Sequence, residues 1–208
     1  MLEKLACSLG RKDEEPNIEL AELLCENNDK LGIKEIVAGM NGRDKAITND
    51  CIKVLYEIGY RKQELIADYV NDFISHLQTK NNRLVWGSMT ALAAIADLKA
   101  KEIYEKLDFI MKAYETGSVI TIDNSITVLA KLCKADLEYE KAVLPLIIKH
   151  LASCRPKEVP QHAERASICI NKENVTCFLE VLDKRRSHMN EAQNKRINKL
   201  VKDLKGRS

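Results

Sequence analysis

The segment VWGSMTALAAIA at residues 85–96 carries its apolar side chains, Val85, Met89, Leu92, Ile95 and Ala96, at the spacings of one stripe on an α-helix. The same pattern stands 37 residues earlier, in TNDCIKVLYEIG at 48–59, and 37 residues later, in IDNSITVLAKLC at 122–133. Position by position, Ile52 is followed at this step by Met89, Ile126 and Ala163. Leu55 is followed by Leu92, Leu129 and Ala166, and Ile58 by Ile95, Leu132 and Cys169. A second apolar set obeys the same step: Ile33, Val70, Leu107 and Leu144; Ile36, Phe73, Ile110 and Ile147; Met40, Leu77, Tyr114 and Leu151. Each repeat therefore holds two amphipathic helices, and a period of this length belongs to a helical-repeat array.

One hairpin of this size cannot bury its apolar stripe alone, so neighbours must stack and share a continuous core. The sequence predicts an all-α fold, a right-handed α-solenoid of stacked helical hairpins, with residues 1–208 as a single domain. Repeats are expected at about 14–41, 42–80, 81–117, 118–154 and 155–186, with a capping helix at 190–205. The expected helices run near 16–27, 29–41, 44–59, 62–80, 82–97, 99–115, 118–134, 136–153, 157–170, 172–186 and 190–205, after a short one at 2–9. Gly42, Gly59 and Gly117 stand where helices should stop, and Asp97, Ser118 and Asp136 where the next ones need caps. In the last full repeat Val175, Leu179 and Leu182 come two residues early, so the array is ending there. The final helix then puts Ile197, Leu200, Val201 and Leu204 on one stripe and its lysines elsewhere.

The run Val85-x-x-x-Met89-x-Ala91-Leu92-x-x-Ile95-Ala96, repeated at Thr48 to Gly59 and Ile122 to Cys133, resembles the first helix of a HEAT repeat. The resemblance covers about residues 16–186, giving four to five HEAT-like repeats, and implies an armadillo-like superhelix whose second helices line the concave side. It also implies a scaffold, because such arrays hold very different partners. HEAT units often place an Arg directly after the first valine position, in a ladder with acids. Here those positions are Asn49, Trp86, Asp123 and Pro160.

The chain is 45% hydrophobic and 31% charged, with 5% aromatic residues, eight Gly and four Pro, which excludes collagen-like and disordered chains. No apolar run reaches the roughly 18 residues needed to cross a bilayer, and the acids near the N-terminus are unlike a secretion signal. A cytoplasmic protein without a membrane partner is expected. Seven scattered cysteines with no CxxC pair read as reduced thiols. Glycine-rich phosphate loops are absent from the sequence, and no nucleophile and base are paired by motif, so neither a cofactor nor an enzymatic activity is expected. His162 and Glu164 have the HxE spacing of zinc deaminases without the Pro-Cys-x-x-Cys that would complete it. His150 and Cys154 are four apart on one helix, but two ligands do not make a metal site, and none is expected.

The outward stripe of the second helices carries Asp68, Asp72, Ser75 and Thr79, then Glu105, Phe109, Lys112 and Thr116, then Ala142, Leu146, Lys149 and Ser153. It passes from acidic to mixed to basic, with Phe109 and Leu146 as apolar anchors, and suits a protein or peptide of polarised charge. Asp72, Phe109, Lys112, Leu146 and Lys149 are the expected partner-binding residues of a non-catalytic scaffold. The alternative is a nucleic-acid-binding protein related to the HEAT-like alkylpurine DNA glycosylases. In it Trp86 would stack on a lesion and Asp123, about one helix spacing (~10 Å) away, would stabilise sugar charge. Lys195, Lys199 and Lys202 would then supply phosphate contacts through the basic C-terminal helix. Residues 184–208 carry nine basic side chains against Glu191 and Asp203, a net +7, leaving −5 for residues 1–183.

Overall fold

A computed structural model of the chain describes residues 1–206. Arg207, counted above in the basic tail, lies outside them. Twelve α-helices and no strand are present among the described residues: α1 (Glu15–Glu26), α2 (Lys30–Met40), α3 (Lys45–Arg61), α4 (Val70–His76), α5 (Asn82–Ile95), α6 (Ala100–Tyr104), α7 (Leu107–Thr116), α8 (Val119–Ala135), α9 (Leu137–Ser153), α10 (Val159–Ala166), α11 (Val175–Arg185) and α12 (Glu191–Lys205). The fold is an all-α helical-repeat solenoid. The chain divides into two compact units, Met1–Ser125 and Ile126–Ser208, with α8 beginning in the first and ending in the second.

In the first unit α3 packs along α1, α2 and α5, so successive first helices stack directly on one another. In the second, α9 lies against α11 and α10 against α12. The step of 37 is written in the burial. Ile52, Met89, Ile126 and Ala163 are each fully buried, as are Ile36, Phe73, Ile110 and Ile147, and the Leu55 and Ile58 series are buried throughout. Burying one such aliphatic side chain stabilises by about 1.5–3 kcal/mol, and the period delivers several per repeat. The second set is looser, with Leu107, Leu144 and Tyr114 only half-buried.

Several local expectations need correction. The helix expected at 62–80 begins as two 3-10 turns, Gln63–Leu65 and Ala67–Tyr69, before α4. Gly59 does not stop α3, which runs on to Arg61. Its missing side chain instead admits Ile66, whose Cδ1 would lie 2.9 Å from a Cβ at that position. The chain leaves helical geometry at Lys62 (φ −144°, ψ 77°) and tucks the fully buried Ile66 under α3. The helix expected at 99–115 is broken between α6 and α7, and α6 follows Lys99, which supplies no side-chain cap, rather than Asp97. The turn at the N-terminus spans only Leu2–Lys4. In α11 the buried residues are Phe178, Val181 and Leu182, whereas Val175 and Leu179 are half-buried.

Other punctuation is where the sequence puts it. Asp136 accepts a hydrogen bond from the Glu138 amide at 2.7 Å at the start of α9, and Ser118 Oγ accepts from the Thr121 amide at the start of α8. Gly117 ends α7. α12 opens with a reciprocal capping box between Asn190 and Gln193 and buries Ile197, Leu200 and Leu204. No helix of the described residues is long and apolar enough to cross a membrane.

Candidate functional site

On the first unit, the second-helix stripe stays in contact with solvent, as the helical spacing requires when Val70, Phe73 and Ile110 are buried. Asp68, Ser75, Glu105, Lys112 and Thr116 are exposed, and Asp72, Thr79 and Phe109 half-buried. Asp72 accepts a hydrogen bond from Asn41 Nδ2 at 2.7 Å, and Asn41 Oδ1 accepts one from His76 Nε2 at 2.7 Å. Asp68 is paired with Lys99 at 3.3 Å. Lys112 and Thr116 border a pocket of about 250 Å³ whose other walls include Leu77, Thr79, Lys80 and Asn82. Lys80 and Lys112 give this pocket two ammonium groups, beside Leu77 and Val85. On the second unit, Ala142, Lys149 and Ser153 are exposed on α9 and Leu146 is half-buried. Neither Phe109 nor Leu146 is a fully exposed anchor, since each is half-buried.

The first-helix surface holds a network that sequence reasoning missed. Lys53, 8% exposed at its side chain, is held by Glu57 at 2.8 Å and Glu14 at 3.1 Å. Arg61 spans Glu57 and Glu22, while Arg83 pairs with Glu14. Burial works against the charged forms here. For Glu57 the opposing hydrogen bonds from Lys53 and Arg61 prevail and hold its carboxyl below the usual range. For Lys53 burial pulls downward, and bonds to Glu57, Tyr56 and Glu14 lift the ammonium above its ordinary value. Side-chain hydrogen bonds join first helices about one repeat apart. Asn81 Nδ2 donates to Asn49 Oδ1 at 2.8 Å, Asn124 Nδ2 to Thr90 Oγ1 at 2.8 Å, and, in the second unit, Arg165 to Thr127 Oγ1 at 2.6 Å. Thr90 and Thr127 occupy the repeat position of Lys53, a signal that the step of 37 already contained.

Trp86 belongs to this packing. Its ring lies 5.7 Å from that of Tyr56 on the preceding first helix and has the Arg83 guanidinium 5.3 Å from its centroid. It is half-buried, as is Asp123 on α8. Lys195, Lys199 and Lys202 are exposed on α12. Part of the basic tail is structural: Arg196 pairs with Glu164 at 2.5 Å, Arg186 with Asp183 at 2.9 Å, and Arg185 binds the carbonyls that end α9.

One grouping changes the sequence reading of metal ligands. By sequence spacing His150 and Cys154 are two ligands only, with His162 apart in its HxE motif. The fold brings His162 against them, its Nδ1 2.7 Å from His150 Nε2. No spacing rule could have shown this, because the contact is made by packing α10 on α9.

No protein-family model matches the sequence, and no curated protein matches it. Solved structures match the fold closely. An engineered protein solved by a structural genomics consortium is 20% identical with a TM-score of 0.69, over 99% of this chain and 96% of that one. A designed armadillo repeat protein in complex with the peptide (KR)4 is 15% identical with a TM-score of 0.68, over 91% and 92% of the two chains. A second designed armadillo repeat protein is 16% identical with a TM-score of 0.65, over 98% and 100%. At these identities the likeness is one of fold, and the fold of this chain is that of an armadillo-like helical-repeat protein.

Proposed function

We propose that this chain is a non-catalytic HEAT-like scaffold, a single repeat array in the cytoplasm, that binds a protein or peptide through its second-helix surface. On the first unit the contact residues are Asp72, Phe109 and Lys112; on the second they are Leu146 and Lys149. The observation that carries this reading is the pocket at Lys112, which falls on the stripe that the sequence periodicity selects and is sized for one side chain. The stripe also offers half-buried apolar surface beside charge, the composition of an interface core with its rim. The armadillo likeness supports the reading, since one of the matching designed proteins carries a bound peptide. The partner that fits places a basic segment near Asp72 and a carboxylate in the pocket at Lys112.

The test is a displayed random-peptide library selected on the wild-type protein and counter-selected on Phe109→Ala/Leu146→Ala. Peptides with adjoining basic and acidic segments that bind the first and not the second are expected. Selected peptides that bind both proteins equally would overturn the proposed face. If nothing is enriched, while nucleic acid binds with an affinity that falls steeply with salt and depends on Lys195, Lys199 and Lys202, the nucleic-acid alternative replaces it.

A further inference from the structure

Three metal-ligating side chains converge at the junction of α9 and α10, within the second unit. His150 stands in the last turn of α9, and Cys154 ends that helix one turn later. His162 comes from the first turn of α10. Nε2 of His150 is 2.7 Å from Nδ1 of His162, the rings are tilted by 51°, and the Cys154 Sγ and one ring nitrogen of each histidine all lie within 4.8 Å of one another. His150 is 5% exposed and His162 fully buried, while Cys154 is half-buried and carries a free thiol. Of the described residues this is the one group of three or more His, Cys, Asp or Glu side chains close enough to share an ion.

The surroundings hold these groups in place. Arg185 donates to the Cys154 carbonyl at 2.6 Å and also to that of Ala152, fixing the end of α9. The buried Nε–H of this same guanidinium has no acceptor in the structure. The link between the helices contains Pro156, α10 starts with Pro160 in its first turn, and Arg155 pairs with Glu158 across the link. Such a constraint matters because a metal site gains affinity when its ligands need no ordering on binding.

We propose that His150 Nε2, His162 Nδ1 and Cys154 Sγ bind one Zn²⁺ ion that fastens α10 to α9, with a fourth position left to water. A mixed imidazole and thiolate set suits zinc, whereas magnesium and calcium take oxygen ligands. Zn–N bonds of about 2.0–2.1 Å and a Zn–S bond of about 2.3 Å in a tetrahedron separate the nitrogens by about 3.3 Å and each nitrogen from sulfur by about 3.6 Å. The rings must therefore part by about 0.6 Å and the sulfur draw in, which rotation about the Cys154 Cα–Cβ bond at a helix end allows. The proton balance is simple. The thiol loses its proton to solvent as the Zn–S bond forms, and the imidazole proton lying between the rings moves to the far nitrogen of its own ring. The bound thiolate then offers an acceptor beside the Arg185 guanidinium.

The experiment uses the full chain, stripped with a chelator and titrated at neutral pH with Co²⁺ alone and then with Zn²⁺. A thiolate-to-cobalt charge-transfer band saturating at one equivalent, its loss on adding Zn²⁺, and a melting temperature raised by Zn²⁺ are expected. Cys154→Ser is a near-isosteric change at a half-buried site. It should keep the metal-free helicity and melting temperature, lose the band, and weaken Zn²⁺ binding by about a hundredfold or more, since even outer partners of metal ligands contribute about 10–100-fold. His162→Gln should lose zinc-dependent stabilisation as well. A band of wild-type strength in Cys154→Ser would overturn the proposal, as would no band and no shift in melting temperature in excess metal.

Discussion

Gly87 on α5 faces Ile52 on α3, one repeat earlier. A Cβ placed on Gly87 would stand 2.6 Å from Ile52 Cγ1 and 3.2 Å from Cγ2, with Ile52 Cβ at an ordinary 3.5 Å. Carbon atoms in contact prefer about 3.5–4.0 Å, so Gly87→Ala demands close to 1 Å of room. Ile52 is fully buried and β-branched, with one strongly preferred helical rotamer, and cannot swing aside. Two effects oppose each other. Alanine gains about 1 kcal/mol over glycine in a helix interior, while overpacking costs about 1–3 kcal/mol. Overpacking should win, leaving Gly87→Ala about 1–2 kcal/mol less stable than wild type. Ile52→Ala alone should cost about 2–5 kcal/mol through the cavity it leaves. In that background both clashing atoms are gone, so Gly87→Ala should now stabilise by about 1 kcal/mol. The double-mutant cycle thus predicts a coupling of about 2–3 kcal/mol with a change of sign. Urea denaturation of the four proteins, followed by helical circular dichroism, measures it. A stabilising Gly87→Ala in the wild-type background, or effects that add to within about 0.5 kcal/mol, would refute the stacking register of the first helices.

The Lys53 network should set the acid limit of the first unit. Glu14 and Glu57 have lowered carboxyl pKa values, so their contribution is complete above about pH 4.5, the ordinary value, and is lost as pH falls through the folded-state values. Lys53 has a raised value, so its contribution is complete below its ordinary value near 10.5 and fades only as pH rises through the folded one. Lys53→Met should therefore destabilise by about 1–3 kcal/mol at neutral pH, because it leaves the Glu57 and Glu14 carboxylates with Arg61 and Arg83 alone, and it should flatten the acid side of a stability–pH profile. A profile unchanged in the variant would show that other carboxylates govern acid unfolding. Phe109→Ala and Leu146→Ala should each cost below about 1.5 kcal/mol in urea unfolding, less than the 2–5 of a core truncation, and weaken a selected peptide about tenfold or more. Trp86→Ala should cost about 2 kcal/mol, roughly half the value for a fully buried ring, and leave peptide affinity unchanged. An altered peptide affinity at unchanged stability would make Trp86 a binding residue.

The first helices were legible in the sequence because the Ile52, Leu55 and Ile58 series that carry the step of 37 are buried in every repeat. The second helices were less legible. Ile66 is drawn under α3 at Gly59, and this packing breaks the helix after Lys62 although KQELIADY has no breaker of its own. The interruption between α6 and α7 at Glu105–Lys106 is likewise unmarked by Gly or Pro. Charged networks were invisible for a related reason. Lys53 is not apolar in type, and its burial is offset by Glu57 one turn along α3 and by Glu14, which the sequence does not place beside it. His162 illustrates the same limit for the candidate metal site, since twelve residues separate it from His150 and the helix packing alone joins them.

The central claim, that a protein or peptide partner occupies the second-helix surface, is tested most directly by hydrogen–deuterium exchange of the full chain with and without a selected peptide. Slower exchange confined to residues 68–79, 105–116 and 142–153 is the expected result. Protection centred instead on α12 or around Trp86 and Asp123, with the second helices unchanged, would contradict it.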